Sequence, residues 1–172
     1  MAEILDVVNE NDEVIGKIDR DDPDKERHIV RVVFVGFYTS DKRVILQRRG
    51  VVKRNAGKLT ATVSGHVESG ATYDETVVKE TFEEAGIRIE LSRVANLGVM
   101  LDSDINVMRA VYAYPFDGDL DDLKIEEGGE GGGFVAMPLE DLMNERVVHP
   151  DRFTGFMNSA AGDLLLRHID SV

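Results

Sequence analysis

Three glutamates stand close together in residues 65–87, which read GHVESGATYDETVVKETFEEAGI. Glu80, Glu83 and Glu84 follow Thr72, which with Glu75 three residues later forms the sequence pattern of a capping box at a helix start. At about 100° per residue, the three carboxylates fall within roughly 100° of arc. Such carboxylates repel each other, and a hard divalent cation such as Mg²⁺ would remove the repulsion. The spacing predicts either a solvated acidic face or a metal site.

The same helix should extend from Thr72 to Ala85 and end at Gly86, which is a typical residue after a helix C-terminus. Val78, Phe82 and Ala85 share one face at this periodicity, so they are predicted to pack against the core. The three glutamates would then lie on the opposite side of the helix.

The frame around the acids resembles the Nudix box. That motif reads Gly, five residues, Glu, seven residues, Arg-Glu, an apolar residue, any residue, Glu-Glu, any residue, Gly and an apolar residue. Six of its nine fixed positions match here: Gly65, Glu80, Glu83, Glu84, Gly86 and Ile87. Three depart, with Ala71 for Glu, Lys79 for Arg and Thr81 for an apolar residue. Upstream, LDVVNENDEVIGKIDR, VILQRR and SGHV look like the branch related to isopentenyl diphosphate isomerase, so the resemblance covers roughly residues 3–145.

The resemblance implies an α/β fold, a Nudix α/β/α sandwich with a mixed sheet, occupying residues 1–172 as a single domain. It implies that Glu80, Glu83 and Glu84 bind Mg²⁺ or Mn²⁺ and form the catalytic centre, with Gly65 among the metal-binding residues. Metal-activated water would cleave a diphosphate that joins a nucleoside to another group. One glutamate would take the proton of the water, and the sequence leaves open which.

A basic segment follows the predicted central strand, and residues 41–58 hold seven of the 20 basic residues beside one acid. It either binds a substrate phosphate or forms a solvated hairpin surface. Arg48, Arg49 and Lys53 are its candidates, although at most one of the two adjacent arginines should face the cleft because strand side chains alternate. Arg31 is a weaker candidate.

His66 is a further substrate-binding candidate, and the matching histidine of the isomerase relatives is a metal ligand. Its alternative role is a structural hydrogen bond in a loop. Among Glu126, Glu127 and Glu130, beside a glycine-rich stretch, Glu127 and Glu130 are possible additional acids. With five glycines in eight residues, this stretch is predicted to be a flexible loop. It would either carry an acid to the metal or be a disordered acidic loop.

Two other functions are compatible with parts of this pattern. An isopentenyl diphosphate isomerase would, by resemblance, need a cysteine where Ser64 stands and a histidine where Val30 stands, and the chain has no cysteine. A catalytically reduced nucleotide-binding domain is compatible with Ala71 and Lys79. These two residues cannot form the ion pair of the family, so Lys79 is expected mainly to contact Glu83 one turn along the helix. Retention of all three helix glutamates favours the enzyme.

Composition restricts the partners. The chain has 172 residues and a net charge of −13, which disfavours nonspecific binding to a nucleic-acid polymer. Absence of cysteine fits a reducing, cytoplasmic location. Neither a signal peptide nor an apolar run long enough for a membrane span is visible. The resemblance implies a small-molecule diphosphate as substrate and is compatible with a homodimer.

The elements that must position these residues follow from hydrophobic patterning. An N-terminal hairpin over residues 3–20 precedes a central strand at 29–38, which is apolar on both faces. Further strands are expected at 44–49, 58–65, 97–101, 106–116 and 134–138, and further helices at 138–145 and 153–169. Tyr112 and Tyr114 should share one strand face, where they either stack a base or pack within the sheet.

Overall fold

The computed structural model describes residues 2–50, 55–124 and 131–172. In these ranges nine strands join one mixed sheet, and three α-helices pack on it. The strands are β1 Ile4–Val8, β2 Val14–Asp19, β3 Ile29–Tyr38, β4 Arg43–Arg49, β5 Leu59–Thr60, β6 Val63–His66, β7 Ala95–Asp102, β8 Val107–Pro115 and β9 Gly131–Pro138. The helices are α1 Tyr73–Ala85, α2 Leu139–Val148 and α3 Ala160–Ser171. This confirms the predicted mixed α/β class.

Strand β3 organises the sheet. It pairs in parallel with β8 from Val30 to Tyr38, and antiparallel with β6 from Val32 to Val35. Strands β1 and β4 pair with its two ends. A strand with neighbours on both sides and helices on both faces needs apolar residues throughout, which the sequence IVRVVFVGFY largely supplies. The prediction of a central strand is confirmed.

Alternate residues of β3 enter two separate core layers. Val33, Val35 and Phe37 belong to the cluster under α1, whereas Phe34 packs against the cluster under α2 and α3. Gly36 lets α3 approach closely, since a Cβ there would lie 2.4 Å from a methyl carbon of Leu165. The sheet is thus covered on both faces, as the predicted sandwich requires.

The segment predicted as one strand at 58–65 is divided into β5 and β6. Strand β5 pairs with β4, and β6 pairs with β3. Thr62 lies at the break, where its Oγ1 accepts a hydrogen bond from the Phe37 amide (2.8 Å) and donates one to the Ile45 carbonyl. One side chain therefore joins β3 and β4 where the chain changes partner.

The C-terminal helix begins later than predicted, at Ala160 rather than near residue 153. Phe153 forms an isolated bridge with Leu59, and the Thr154 amide donates to the Leu59 carbonyl (2.9 Å). Because these backbone groups of Phe153 and Thr154 pair with β5, they are not part of a helix.

The glycine-rich stretch is not entirely a loop, because Gly131–Gly133 belong to β9 and extend its pairing with β4. The register shifts between Gln47 and Arg49, and Gly133 has a φ of 96°, which glycine adopts without strain. Residues 125–130 lie outside the described residues, and with them Glu126, Glu127 and Glu130. No helix within the described ranges is long and apolar enough to cross a bilayer.

Candidate active site

Helix α1 has the ends that its sequence predicts. Thr72 Oγ1 accepts a hydrogen bond from the Glu75 amide (3.2 Å), and the Glu75 carboxylate accepts one from the Thr72 amide (2.8 Å). Gly86 follows with a φ of 70°, in the left-handed region. The capping box and the glycine stop are both confirmed, because both depend on residues adjacent in sequence.

The predicted apolar face of α1 is wrong at Phe82 only: Ala85 is fully buried, and Val78 is partly buried against the core cluster under the helix. Phe82 is 44% exposed, and the Arg88 guanidinium lies 4.5 Å from its ring centroid. Val77 and Thr81 are buried instead, and Ala85 lies with them. The sheet turns the helix so that a stripe of small residues faces it. Glu80 and Glu84 consequently lie at the border between helix and sheet rather than opposite the core.

Strand β6 receives the two border glutamates. The Ser64 amide donates a hydrogen bond to Glu84 Oε2 (2.9 Å). Gly65 lies directly against Glu80, since a Cβ at Gly65 would stand 2.1 Å from the Glu80 carboxyl carbon. The first glycine of the box is therefore explained by space: any side chain there would displace the Glu80 carboxylate.

Negative charge accumulates at this border. The pKa of Glu80 is raised to about 7: burial is the largest cause, Glu84, Glu83 and Glu3 also raise the pKa, and Lys79 opposes them. No three His, Asp or Glu side chains are already gathered as a metal cluster in the described part of the chain. The donor chemistry nevertheless fits a hard divalent cation, because the ligands are carboxylates that repel one another. We therefore expect the glutamate side chains to move closer together when a divalent cation binds.

Lys79 departs from its predicted role. Its Nζ lies 2.5 Å from Glu68 Oε1 in the loop before the helix, and 3.8 Å from Glu83 Oε2. The hydrogen bond to Glu68 is the largest effect on the Lys79 pKa, which is raised. Contrary to expectation, an ion pair between the loop and the helix does form. Its acid is Glu68, whereas the family has its acid at the position of Ala71.

A groove of about 400 Å³ opens beside the N-terminal half of α1. His66 lines it, together with Gly70, Ala71, Thr76 and Lys79. His66 is half-buried in β6, directly after Gly65. The structure thus brings His66 near the helix that carries the glutamates, while its role as a substrate ligand stays a prediction.

Arg31 is committed to a structural contact. Its Nε donates to Asp12 Oδ1 (2.6 Å), its guanidinium lies 5.5 Å from the Tyr73 ring centroid, and the Tyr73 hydroxyl donates to Asp12 Oδ2 (3.0 Å). The group ties the turn of the N-terminal hairpin to the first residue of α1. This explains why Arg31 is a poor candidate for binding substrate.

The basic segment is distributed over several contacts. Arg48 is exposed and donates to the Gly57 carbonyl (3.2 Å), whereas Arg49 is half-buried. Lys42 bonds the Asp170 carbonyl and Arg43 pairs with Asp41 at the other end of β4. Lys53 lies outside the described residues. The assignment of Arg48, Arg49 and Lys53 to substrate binding remains a prediction.

Tyr112 and Tyr114 share a face, as predicted, and both are buried under α1. The Tyr112 hydroxyl donates to Asp74 Oδ1 (2.9 Å), so this ring fixes the start of the helix to β8. Of the two alternatives for these tyrosines, packing within the sheet is the one observed.

Sequence reasoning missed Glu68, Glu3 and Asp12. Glu68 and Asp12 each make a contact that decides how a box residue is held, and Glu3 acts on the Glu80 pKa. Glu68 occupies a position where the box allows any residue, and the other two belong to the distant N-terminal hairpin. Only the three-dimensional arrangement relates them to the site.

Comparison with known proteins supports the same family. A profile of the NUDIX domain matches residues 12–154. A Nudix hydrolase of Deinococcus radiodurans is 41% identical over 91 residues, which cover 51% of this chain and 52% of the relative. An isopentenyl-diphosphate Delta-isomerase of Pectobacterium atrosepticum is 21% identical over 151 residues, covering 87% and 84%.

Among solved structures, a Deinococcus radiodurans protein superposes with a TM-score of 0.79 at 28% identity, covering 94% of this chain and 97% of that one. The chain spans about half the length of the curated Nudix hydrolases that it matches. Because the domain profile extends from the N-terminal hairpin to Thr154, this protein belongs to the Nudix family.

Proposed function

We propose that this protein is a Nudix diphosphohydrolase, a single domain over residues 1–172, that cleaves a diphosphate linkage in a nucleoside diphosphate derivative with Mg²⁺ or Mn²⁺. One observation carries the proposal. Glu80 is held half-buried against Gly65 with Glu84 beside it, although burial and its neighbours raise its pKa to about 7. Packing alone would select apolar residues at such a border, so the retained carboxylates support a cation-binding role.

Glu80, Glu83 and Glu84 would hold the metal in this proposal. When bound, a divalent cation polarises phosphoryl oxygens, neutralises diphosphate charge and lowers the pKa of a bound water. The chain itself orients the ligands: the Ser64 amide fixes one oxygen of Glu84, and Gly65 leaves room for Glu80.

The reaction needs one base and one broken bond. A water oxygen attacks phosphorus, the bridging phosphorus–oxygen bond breaks, and two phosphate-bearing fragments leave. A glutamate accepts the proton of the water. A cation beside Glu80 would lower its pKa again, so glutamine variants rather than the metal-free pKa identify the base.

Substrate binding is proposed for His66 in the groove and for Arg48, Arg49 and Lys53 of the basic segment. Arginine suits a diphosphate because its planar guanidinium bonds two oxygens at once.

The test is a substrate screen followed by mutation. Nucleoside di- and triphosphates, nucleotide sugars, dinucleoside polyphosphates and prenyl diphosphates are incubated with Mg²⁺ or Mn²⁺, and phosphate-bearing products are quantified. Glu83→Gln and Glu84→Gln should each lower turnover by about 10² or more, through loss of charge stabilisation in the transition state. Glu140→Gln, which changes an exposed residue of α2, is the control. Undiminished hydrolysis in EDTA would contradict the proposal.

A catalytically reduced nucleotide-binding domain is the second candidate. The observation in its favour is that no three acidic or histidine side chains stand ready as a metal cluster in the described ranges, while Ala71 replaces the box glutamate. Calorimetric binding of a nucleotide with no turnover across the whole screen would favour it over the hydrolase.

A further inference from the structure

The loop between β6 and α1 is anchored to the N-terminal strand. Glu68 forms an isolated bridge with Leu5, and the Ser69 amide donates to the Ile4 carbonyl (2.7 Å). The Gly70 amide donates to Asp6 Oδ2 (3.2 Å). The backbone of Glu68 is therefore fixed to the sheet, unlike that of a typical exposed loop residue.

The Glu68 side chain reaches α1. Its Oε1 lies 2.5 Å from Lys79 Nζ, and the same ammonium stands 3.8 Å from Glu83 Oε2. Lys79 and Glu83 are four residues apart on one helix, which is the spacing of a direct ion pair. The ammonium instead makes its shorter contact with the loop.

This division of contacts bears on metal binding. An ammonium paired directly to Glu83 competes with a cation for the same carboxylate oxygens and adds positive charge beside it. An acid that draws the ammonium aside reduces that competition. Residues that orient metal ligands in this way affect metal affinity strongly without touching the metal.

We propose that Glu68 is a positioning residue that holds Lys79 aside and so keeps Glu83 available to a divalent cation. The inference rests on the proposed function, because it assumes that Glu83 is a metal ligand. In this chain Ala71 stands where the box has its loop acid, and Glu68, three residues earlier, pairs with Lys79.

The Glu68 and Lys79 side chains are each nearly half exposed, so their pairing contributes little to stability. Loss of Glu68 should therefore appear in metal affinity and not in unfolding. That separation distinguishes positioning from a general structural role.

The experiment compares six proteins, each as the whole 172-residue chain: wild type, Glu68→Gln, Lys79→Ala, the double variant Glu68→Gln with Lys79→Ala, Glu83→Gln, and the control Glu140→Gln. Mn²⁺ affinity is measured by titration with detection by electron paramagnetic resonance, and stability by urea unfolding in EDTA. We expect Glu68→Gln to weaken Mn²⁺ binding about tenfold. Removing the released lysine should restore affinity, so the double variant should lie within about threefold of wild type. Unfolding midpoints should be the same throughout.

Three results would count against the inference. Unchanged Mn²⁺ affinity in Glu68→Gln overturns it, and so does equal weakening in the single and double variants, because Lys79 would then not be the intermediary. In both cases weakened binding in Glu83→Gln would leave the proposed function standing. Wild-type protein that binds no Mn²⁺ overturns the proposed function and this inference with it.

Discussion

Thr81 brings a hydroxyl into the interface between α1 and the sheet, at the box position where the family has an apolar residue. The side chain is fully buried, and its Oγ1 has no hydrogen-bond partner among the residues that the structure describes. Thr76, also buried on the same helix, differs in that its hydroxyl donates to the Thr72 carbonyl (2.8 Å). The two threonines therefore form a matched pair, one unsatisfied and one satisfied.

We predict that Thr81→Val stabilises the protein by about 1 kcal/mol, because it removes a buried polar atom without changing the side-chain shape. The same change at Thr76 should destabilise by about 1 kcal/mol, because it breaks a hydrogen bond that satisfies the buried hydroxyl. Urea unfolding of both variants measures the two effects. Loss of stability in Thr81→Val would mean that this hydroxyl has a partner after all, such as a buried water.

Glu80 makes the metal-free protein sensitive to pH. Its pKa is raised from 4.5 to about 7, so between these values the folded state binds more protons than the unfolded state. The contribution of protonated Glu80 to the free energy of unfolding is fully present below pH 4.5 and is lost as the pH rises through about 7.

We predict that Glu80→Gln, which cannot ionise, has nearly wild-type stability at pH 4.5 and exceeds it at pH 8. For a fully buried carboxylate, this pKa shift would correspond to a difference of about 3 kcal/mol in the free energy of unfolding. Because Glu80 is partly exposed, we expect a difference of about 1–2 kcal/mol. Urea unfolding in EDTA at both pH values tests this. An equal difference at the two pH values would show that ionisation of Glu80 is not the cause.

Lys79 is held by an exposed ion pair rather than by a buried one. We predict that Lys79→Ala changes stability by less than about 1 kcal/mol and turnover by less than about tenfold. Steady-state kinetics on the substrate found by the screen would check this. A loss comparable to that of Glu83→Gln would instead place Lys79 on the substrate phosphate.

At the scale of elements, α1 is docked by contacts at both ends. Tyr73 and Tyr112 connect the start of the helix to the N-terminal hairpin and to β8. Later along the helix, Glu84 and Glu80 contact Ser64 and Gly65 of β6. The metal-ligand candidates thus depend on the distance between helix and strand. That distance is set at Gly65, where no side chain intervenes.

We predict that Gly65→Ala weakens Mn²⁺ binding about tenfold while changing stability by less than about 1 kcal/mol. The three atoms nearest to the new methyl group belong to the flexible end of the Glu80 side chain, which can move away, but the carboxylate is then displaced. Gly155→Ala is the control, since no atom in the described ranges lies within 4 Å of a Cβ built there. If Gly65→Ala bound Mn²⁺ with wild-type affinity, Glu80 would not be a ligand of the metal.

The helix ends could be predicted from sequence, and the orientation of the helix could not. Thr72, Glu75 and Gly86 act through bonds to near neighbours, so a local pattern suffices. Which side of α1 faces inward depends on the sheet, which admits Thr81 and leaves Phe82 outside. The start of the last helix was likewise not predictable, because Phe153 lies in a segment with a helical sequence pattern but pairs with β5. The candidate glutamates were thus predictable, while their partner Glu68 was not.

At the scale of the whole molecule, the chain has a Nudix domain and is 21% identical over 151 residues to an isopentenyl-diphosphate Delta-isomerase of Pectobacterium atrosepticum. It has no cysteine, and Val30 is buried and apolar where the isomerase relatives carry a metal-binding histidine.

We predict no conversion of isopentenyl to dimethylallyl diphosphate, because the molecule lacks the thiol that the reaction requires in the relatives. Ser64→Cys alone should also be inactive, since Val30 leaves the metal-binding set of the isomerases incomplete. Proton NMR of the substrate, incubated with enzyme and Mg²⁺, follows the reaction directly. Detectable isomerisation by the wild type would contradict the prediction.

The central position of β3 has a consequence for synthesis of the chain on the ribosome. Val30 pairs with Val107 and Tyr38 with Pro115, so each residue of β3 is made long before its parallel partner. At about 5–20 residues per second, the delay is about 4–15 s. During that interval a strand that is apolar on both faces has an open edge, which favours intermolecular pairing. Newly made chains should therefore depend on chaperones until β8 emerges, and conditions that slow translation between β3 and β8 should increase aggregation.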